Sequence, residues 1–223
     1  MGYDTNMNFK FDFVIGGFIR SGTTLLRMLI DMHPDAYCGP ESKILYRLDY
    51  GKADWTALGW YNQLFGTEID WPEFTEEWFV KNIKRLYGED ILIGEKSPRN
   101  SAKYKQLVEG GRKAVHIYRE SEDVYQSVLK FKEDLDKSEF FDEWREHNKW
   151  LANPMDGLLI VTYKDLCLRT EETLFTIYKH LGLRTDVDYA ALRMNYDYSN
   201  VNIKEWEGRV DLSELKFKTY KGV

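Results

Sequence analysis

Gly17-Phe18-Ile19-Arg20-Ser21-Gly22-Thr23-Thr24 is the stretch that decides how this chain folds. The apolar run before it, residues 11–15, predicts a buried strand that stops at Gly16-Gly17. The residues after it, 25–30, are apolar at helical spacing and predict a helix that ends at His33-Pro34. The sequence therefore predicts a strand, a glycine-rich loop and a helix in that order.

Similar patterns recur along the rest of the chain. Three more apolar runs predict buried strands: residues 91–93, 114–118 and 158–162. Gly94 and Arg119 end the first two of these runs. Ser121, ahead of two acidic residues, predicts a capped helix start, and residues 171–181 predict a helix that Gly182 closes. Short strands alternating with helices predict an α/β fold, a mainly parallel sheet flanked by helices, with ligands at the carboxyl ends of the strands.

Length and composition narrow the class of protein. A chain of 223 residues with 43% hydrophobic and 30% charged residues predicts a single globular domain, residues 1–223. Residues 49–89 are acidic and rich in aromatic residues without a strand pattern, so we expect a helical insertion there. The formal net charge of −6 argues against a nucleic-acid partner or an anionic membrane surface, both of which favour basic proteins.

The cysteine content and the amino-terminal residues indicate in which cellular compartment the protein is expected. Cys38 and Cys167 are too few for a disulfide framework and lack metal-ligand spacing, so we expect free thiols and no metal site. Residues 1–10 are polar and contain no apolar core of a secretory signal. No stretch approaches the roughly 18 apolar residues of a membrane helix. These observations predict a cytoplasmic protein with no membrane partner.

The glycine-rich stretch has the spacing of a phosphate-binding loop, G-x-x-x-x-G-K-[ST], with Thr23 where lysine is expected. Backbone amides and the helix amino terminus predict an anion site formed by Arg20, Ser21, Gly22, Thr23 and Thr24. In nucleoside-triphosphate enzymes the lysine neutralises phosphate charge beside Mg²⁺. A sulfuryl group carries less negative charge, so Arg20 and amide donors suit it without a metal. The alternative is a tight strand-to-helix connection with no ligand.

Residues 20–25, Arg-Ser-Gly-Thr-Thr-Leu, resemble the 5′-phosphosulfate loop of the sulfotransferases that use 3′-phosphoadenosine 5′-phosphosulfate (PAPS). Within that superfamily, residues 16–34 are most similar to the tyrosylprotein sulfotransferases. The likeness continues through Cys38-Gly39-Pro40-Glu41-Ser42-Lys43, which is similar to their Cys-Gly-Glu-Glu-Thr-Arg segment. The resemblance implies the P-loop-like sulfotransferase fold and PAPS as co-substrate. It also implies an acceptor hydroxyl on a small molecule or peptide, with a phenol or tyrosine as one candidate.

Three separate segments extend the resemblance. Arg119 and Ser127 keep the eight-residue spacing of the family's pair that binds the 3′-phosphate, although Glu120-Ser121 replaces the family's Asp-Pro or Asn-Pro. A strand end and the second turn of the following helix can converge on one phosphate. Lys96 matches the family's lysine that contacts the transferring group. Residues 163–166 are similar to a Tyr-Glu-Asp-Leu stretch, and we predict that they form an exposed turn.

The resemblance also implies roles in the chemistry. Glu41 aligns with the catalytic glutamate, which takes the acceptor proton, while Lys96 stabilises the leaving oxygen and Arg20 holds the sulfonate and 5′-phosphate. An alternative role for Glu41 is the acidic start of a second helix, residues 41–48. Lys43 matches a family arginine and is a candidate for the acceptor side.

Other interpretations stay open at this point. Trp206 is a candidate to stack on adenine, and an equally good interpretation is a tryptophan that closes the core. A P-loop small-molecule kinase is an alternative function, with Asp165 as its metal-binding acid. A noncatalytic nucleotide binder is another, since an anion loop alone does not imply group transfer.

Overall fold

A five-stranded parallel sheet forms the centre of the fold in a computed structural model that describes residues 10–46, 55–132 and 134–187. Its strands are β1 (Phe13–Gly17), β2 (Ala36–Tyr37), β3 (Leu92–Lys96), β4 (Lys113–Tyr118) and β5 (Leu158–Thr162). Their order across the sheet is β2-β3-β1-β4-β5, and each neighbouring pair is parallel. The predicted α/β fold with a mainly parallel sheet is confirmed.

Eight α-helices accompany the sheet within the described residues: α1 (Thr23–Asp31), α2 (Trp55–Phe65), α3 (Glu76–Tyr87), α4 (Tyr104–Glu109), α5 (Ser121–Leu129), α6 (Lys137–His147), α7 (Tyr163–Leu168) and α8 (Thr170–Leu181). Short 3-10 turns lie at Ile44–Tyr46, Trp71–Glu73, Pro98–Lys103 and Lys149–Leu151. In these parts of the chain, no helix combines the length and the apolar character that a membrane crossing needs. The predicted helix at 171–181 and its closure by Gly182, which has φ 84°, are confirmed.

Both faces of the sheet are covered, which explains why its strands are almost wholly apolar. Phe13 and Ile15 of β1 pack in one buried cluster with residues of α1 and α8. Val14, which points to the opposite face, packs with Tyr104 and Leu107 of α4. The alternation of side chains along β1 thus joins two helical layers through a single strand.

Residues 55–87, which we call the aromatic unit, contain α2, α3 and the 3-10 turn between them. Their buried side chains form one cluster with Phe11, Tyr37 and Ile93, so the unit is attached to the β2–β3 side of the sheet. Rings of Tyr61 and Phe79 meet edge to face with centroids 4.7 Å apart, a favourable geometry for aromatic pairs. The single-domain organisation of residues 1–223 stays a prediction.

Two predicted strand ends were wrong. β1 does not stop before Gly16-Gly17, because both glycines continue the parallel ladder opposite residues of β4. β3 does not stop at Gly94 but runs on to Lys96. A Cβ on Gly94 would lie 2.1 Å from the ring of Phe13. That glycine therefore makes room for a neighbouring aromatic ring and does not end the strand.

Three predictions of local structure also differ from the structure. Ser121 is the first residue of α5, and Glu120 occupies the cap position without a side-chain hydrogen bond. Residues 41–43 are not helical, because Lys43 has a left-handed φ of 57°, and a 3-10 turn follows. Residues 163–166 begin α7 and do not form a turn, since the Thr162 side chain caps that helix by accepting the Asp165 N–H.

Candidate active site

The glycine-rich loop leaves β1 at Gly17 and enters α1 at Thr23, at the carboxyl edge of the sheet. Gly22 takes the cap position with φ 99°, and a Cβ there would lie 2.5 Å from the ring of Tyr163. The first N–H groups of a helix have no acceptor within the helix. The start of α1 therefore offers amide donors and the positive end of a helix dipole to an anion.

A cleft of about 280 Å³ lies beside this helix start. Of the predicted site residues, all but one line it: Arg20, Gly22, Thr23, Thr24, Glu41, Lys96, Arg119 and Ser127. The exception is Ser21, which is fully buried and whose N–H donates to the Phe18 carbonyl at 3.2 Å. The structure thus brings together residues from four separate segments, and a ligand role for Ser21 stays a prediction.

Two arginines and a serine converge at one end of the cleft, which we call the anion end (Arg20, Arg119 and Ser127). The Nε of Arg20 donates to Ser127 Oγ at 3.3 Å, and Nη1 of Arg119 donates to the Arg20 carbonyl at 3.2 Å. Arg20 also lies over the ring of Phe131, 4.6 Å from its centroid. Arg20 thus contacts the Ser127 hydroxyl, Arg119 contacts the backbone of Arg20, and all three line the same cleft, an arrangement suited to an anion.

Arg119 follows directly after β4 and is held by its neighbours. Trp144 Nε1 donates to the Arg119 carbonyl at 3.2 Å, and the guanidinium lies over the ring of Tyr163 at 4.6 Å. Its Nε is buried and has no hydrogen-bond partner among the described residues. A buried charged donor without a partner is costly unless something binds it, so Arg119 has capacity left for a ligand.

A second group of residues at the cleft has a carboxylate between a cation and a hydroxyl, and we call this group the base end (Glu41, Lys96 and Ser97). Lys96 Nζ is 3.3 Å from Glu41 Oε2, and Ser97 Oγ donates to Glu41 Oε1 at 2.8 Å. The Lys96 side chain is only 9% exposed, whereas that of Glu41 is 26% exposed. The carboxylate is therefore fixed in position yet open to the cleft, as a proton acceptor must be.

A second carboxyl group, that of Glu95, is buried beneath the base end. Burial raises its pKa to about 7, opposed by the hydrogen bond from Asn100, and the nearby charge of Glu41 raises it further. Asn100 Nδ2 donates to Glu95 Oε2 at 2.7 Å. Glu95 therefore takes up a proton near neutral pH, which removes one negative charge close to Glu41.

The histidines of the described residues are not among those that line the cleft. His116 Nε2 donates to Asn148 Oδ1 at 2.9 Å, and burial lowers the pKa of its imidazole to about 4. In the described ranges, the His, Cys, Asp and Glu side chains form no cluster arranged to hold a metal ion. Cys38 and Cys167 are both buried, and neither forms a disulfide.

Tyr163 is a cleft residue that sequence reasoning missed. Its segment was predicted to be a structural strand end and turn, yet Tyr163 lines the cleft and lies against the guanidinium of Arg119. An adjoining groove of about 400 Å³ shares both residues. The similarity of residues 163–166 to a family motif was the available signal, and its first residue contacts the site.

Three other candidates lie away from the cleft or outside the described residues. Asp165 pairs with Arg169 at 2.7 Å and accepts the Thr162 hydroxyl at 2.8 Å, and it does not line the cleft. Lys43 is exposed and is also absent from the cleft lining. Trp206, the candidate for adenine stacking, lies outside the described residues.

Comparison with known proteins shows which family this chain is similar to. A family model described as the sulfotransferase family matches residues 12–187. A putative protein-tyrosine sulfotransferase of Caenorhabditis briggsae is 29% identical over 197 residues, which cover 79% of this chain and 67% of that protein. Protein-tyrosine sulfotransferase 2 of Gallus gallus is 25% identical over 191 residues, 76% of this chain and 50% of that protein.

A third relative matches a shorter stretch of this chain with a higher sequence identity. Protein-tyrosine sulfotransferase 1 of Danio rerio is 47% identical over 45 residues, which cover 20% of this chain and 13% of that protein. The matched regions thus span between 13% and 67% of the length of these three curated relatives.

Solved structures share the fold. The sulfotransferase domain from the Synechococcus PCC 7002 olefin synthase has a TM-score of 0.60 at 20% identity, over 98% of this chain and 87% of that one. The sulfotransferase domain from the curacin biosynthetic pathway has a TM-score of 0.58 at 18% identity, over 80% of this chain and 76% of that one. The arrangement of strands and helices around the cleft is therefore one that sulfotransferases use.

Proposed function

This chain belongs to the sulfotransferase family, and we propose that it transfers a sulfuryl group from PAPS to an acceptor hydroxyl with Glu41 as the base. One observation carries the proposal. Glu41 and Lys96 form a close pair, 3.3 Å apart, in the same cleft as Arg119, Ser127 and the amino terminus of α1. A proton acceptor, a cation and an anion site within one cleft are the groups that sulfuryl transfer needs.

The cleft suits the two anionic groups of the donor. Arg119 and Ser127 at the anion end would bind the 3′-phosphate, and the unpartnered Nε of Arg119 supports this assignment. The amides of α1 with Thr23 and Thr24 would bind the 5′-phosphosulfate. Arg20 has its backbone in the loop and its guanidinium at Ser127, so it adds positive charge to both groups. The groove beside Arg119 and Tyr163 provides space for the nucleoside.

In the proposed reaction the acceptor oxygen forms a bond to sulfur while the bond from sulfur to the bridging oxygen of the 5′-phosphate breaks. Glu41 takes the acceptor proton, which leaves the acceptor oxygen free to attack in line. The electron pair of the broken bond stays on the bridging oxygen, where the charge of Lys96 stabilises it. The products are a sulfate ester and adenosine 3′,5′-bisphosphate.

The relatives support one acceptor class over the others. The similar proteins described above are protein-tyrosine sulfotransferases, which favours a phenolic or tyrosyl hydroxyl, on a peptide or protein. A small metabolite or a carbohydrate alcohol is the alternative, because loops that vary among relatives usually determine acceptor choice. We keep the tyrosyl acceptor as the first candidate.

The site favours this function over the kinase alternative. Thr23 occupies the position of the lysine that nucleoside-triphosphate enzymes use. Asp165, the acid that a kinase would need for its metal, is held by Arg169 and Thr162 and does not line the cleft.

Labelled transfer tests the proposal. The purified chain is incubated with [³⁵S]PAPS and a panel of tyrosine peptides, phenols, alkyl alcohols and sugars, with and without a chelator. We expect labelled sulfate ester with at least one acceptor, unaffected by chelation, since no step uses a metal. Phosphoryl transfer from Mg-ATP to the same panel, without sulfuryl transfer, would contradict the proposal. If the chain binds the bisphosphate but transfers sulfate to none of these acceptors, the result would contradict the proposed transfer and support a noncatalytic nucleotide binder.

A further inference from the structure

Glu41 lies in a segment without regular secondary structure. Residues 38–43 connect β2 to the 3-10 turn at Ile44–Tyr46 and take part in no helix or strand. Such a segment depends on contacts with other elements for its position. A general base must lie within hydrogen-bond reach of the proton it removes. What holds this segment therefore affects the proposed reaction.

Tyr61 of α2 contacts Pro40, the residue directly before Glu41 in the chain. Its hydroxyl donates to the Pro40 carbonyl at 2.6 Å. This carbonyl belongs to the peptide bond that joins Pro40 to Glu41, and because a peptide bond is planar, its direction also sets that of the Glu41 N–H. A Cβ on Gly39 would lie 2.7 Å from Tyr61 Oη. Glycine at this position lets the hydroxyl approach the backbone.

The hydroxyl of Tyr61 is not needed for packing. Tyr61 is completely buried, and its ring lies 4.7 Å from that of Phe79, 5.6 Å from Phe74 and 5.9 Å from Phe65. A phenylalanine ring would fill the same place in this apolar cluster. A polar atom placed there loses its hydration and needs a hydrogen bond to offset that cost. The hydroxyl thus contributes through its bond to Pro40.

Other buried groups hold the same segment on both sides of Glu41. The Cys38 N–H donates to Asp31 Oδ1 at 2.8 Å, and Arg27 Nη1 donates to the Cys38 carbonyl at 3.2 Å. After Glu41, the Glu95 carboxyl accepts the backbone N–H of Lys43. The segment is therefore fixed at both ends, and Tyr61 fixes the peptide plane directly before the carboxylate.

We propose that the Tyr61 hydroxyl is a positioning group for sulfuryl transfer: by holding the Pro40 carbonyl it keeps the Glu41 carboxylate beside Lys96 and in reach of the acceptor. This inference rests on the proposed function. It gives the aromatic unit, which lies outside the donor loop and the phosphate motifs, a direct part in turnover.

The test compares Tyr61→Phe with Tyr178→Phe. Tyr178 is also fully buried and its hydroxyl donates to a backbone carbonyl, that of Leu29, at 3.0 Å. Both variants lose one buried hydrogen bond, so we expect similar decreases in Tm. We expect kcat to fall roughly tenfold in Tyr61→Phe, less than the about 10²-fold cost of a 1 Å misplacement, and to stay unchanged in Tyr178→Phe. The bisphosphate Kd stays unchanged in both.

A double-mutant cycle separates positioning from a general structural role. Because Tyr61 acts through Glu41, Tyr61→Phe should cause no further loss of kcat in a Glu41→Gln background. An equal loss in both backgrounds, or an unchanged kcat in Tyr61→Phe alone, overturns the proposal. Full turnover in Glu41→Gln refutes the proposed base instead, so the two failures are distinguishable.

Gly39→Ala provides a second variant should Tyr61→Phe not fold. The added Cβ would lie 2.7 Å from Tyr61 Oη and 2.6 Å from Tyr37 Oη, so it displaces the hydroxyl while the tyrosine is kept. We expect the same loss of kcat with an unchanged bisphosphate Kd. A folded Gly39→Ala protein with full kcat contradicts the proposal.

Discussion

The two ends of the cleft are built differently. The anion end consists of side chains next to the carboxyl edge of the sheet, two of them at motif spacing, and its Arg20–Ser127 contact is exposed to solvent. At the base end, Lys96 is almost fully buried, and Glu41 is held by contacts that join distant parts of the chain. In the proposed function, this difference corresponds to a division of work in which the anion end would bind the donor and the base end would perform the transfer. The variants below change one end at a time, and their affinity, turnover or stability is measured.

The largest effect is expected at Glu41. Glu41→Gln keeps the shape and removes the base, so kcat should fall by roughly 10² to 10⁴, the usual contribution of general-base catalysis. Single-turnover rates at saturating donor measure this loss, and calorimetry should show nearly unchanged bisphosphate binding. Glu109→Gln, an exposed carboxylate of α4, serves as the control with full activity. If Glu41→Gln keeps wild-type turnover while chemistry limits the rate, the base lies elsewhere.

Lys96→Ala tests the other member of the base end. Loss of a group that stabilises charge in the transition state typically lowers kcat by about 10² to 10³. The acceptor KM should change little, because the charge develops only during transfer. Lys105→Ala, on the exposed side of α4, is the matched control. A Lys96→Ala protein that retains more than half of its kcat would remove Lys96 from the mechanism.

At the anion end we expect affinity to change more than turnover. Arg119→Ala should weaken binding of adenosine 3′,5′-bisphosphate by about 1.5 to 3 kcal/mol, the range for a hydrogen bond to a charged group. Ser127→Ala should cost less than Arg119→Ala, since only the phosphate is charged in its contact whereas both groups are charged in that of Arg119. Titration calorimetry measures both values. Binding of adenosine 5′-phosphate should change less, and equal losses for the two nucleotides would contradict the assignment of the 3′-phosphate.

The last variant concerns the pH dependence of stability beneath the base end and is expected to leave turnover least affected. Since burial raises the pKa of Glu95 from 4.5 to about 7, the folded state holds this proton more tightly than the unfolded state. The contribution of Glu95 to stability is therefore present below pH 4.5 and is lost as the pH rises towards 7, by at most about 3 kcal/mol. Glu95→Gln should flatten this part of the profile in urea unfolding between pH 4.5 and 7.5. A variant whose profile parallels that of the wild type would show that Glu95 does not titrate there.

The same contrast between the two ends of the cleft explains which features of the site could be predicted from the sequence. Arg119 and Ser127 were identified through a family resemblance, and local patterns correctly predicted the strand that Arg119 follows and the helix that contains Ser127. Glu41 was identified through a resemblance, and its expected place in a helix was wrong, because tertiary contacts determine the backbone of residues 38–43. No local pattern signals that Tyr61 contacts Pro40, 21 positions earlier in the chain.

Glycine was the least reliable signal for strand ends. Gly94 predicted the end of a strand, yet it lies inside β3 against the ring of Phe13. A glycine inside a strand pattern marks either a bend or a close approach of another group, and only the packed structure distinguishes the two. The two strand residues beyond it, Glu95 and Lys96, are buried polar groups that hydrophobic periodicity does not detect. The cytoplasmic location stays a prediction from the sequence.

Nucleotide binding to the wild-type chain tests the central claim most directly. Calorimetry compares adenosine 3′,5′-bisphosphate, adenosine 5′-phosphate and Mg-ATP in the presence and absence of a chelator. The account predicts that the bisphosphate binds most tightly, at least tenfold more tightly than the 5′-phosphate, because a hydrogen bond to a charged group contributes about 1.5 to 3 kcal/mol. Its affinity should be independent of metal. Equal binding of the two adenosine phosphates, or tighter and metal-dependent binding of ATP, would contradict the claim that this cleft is a PAPS site.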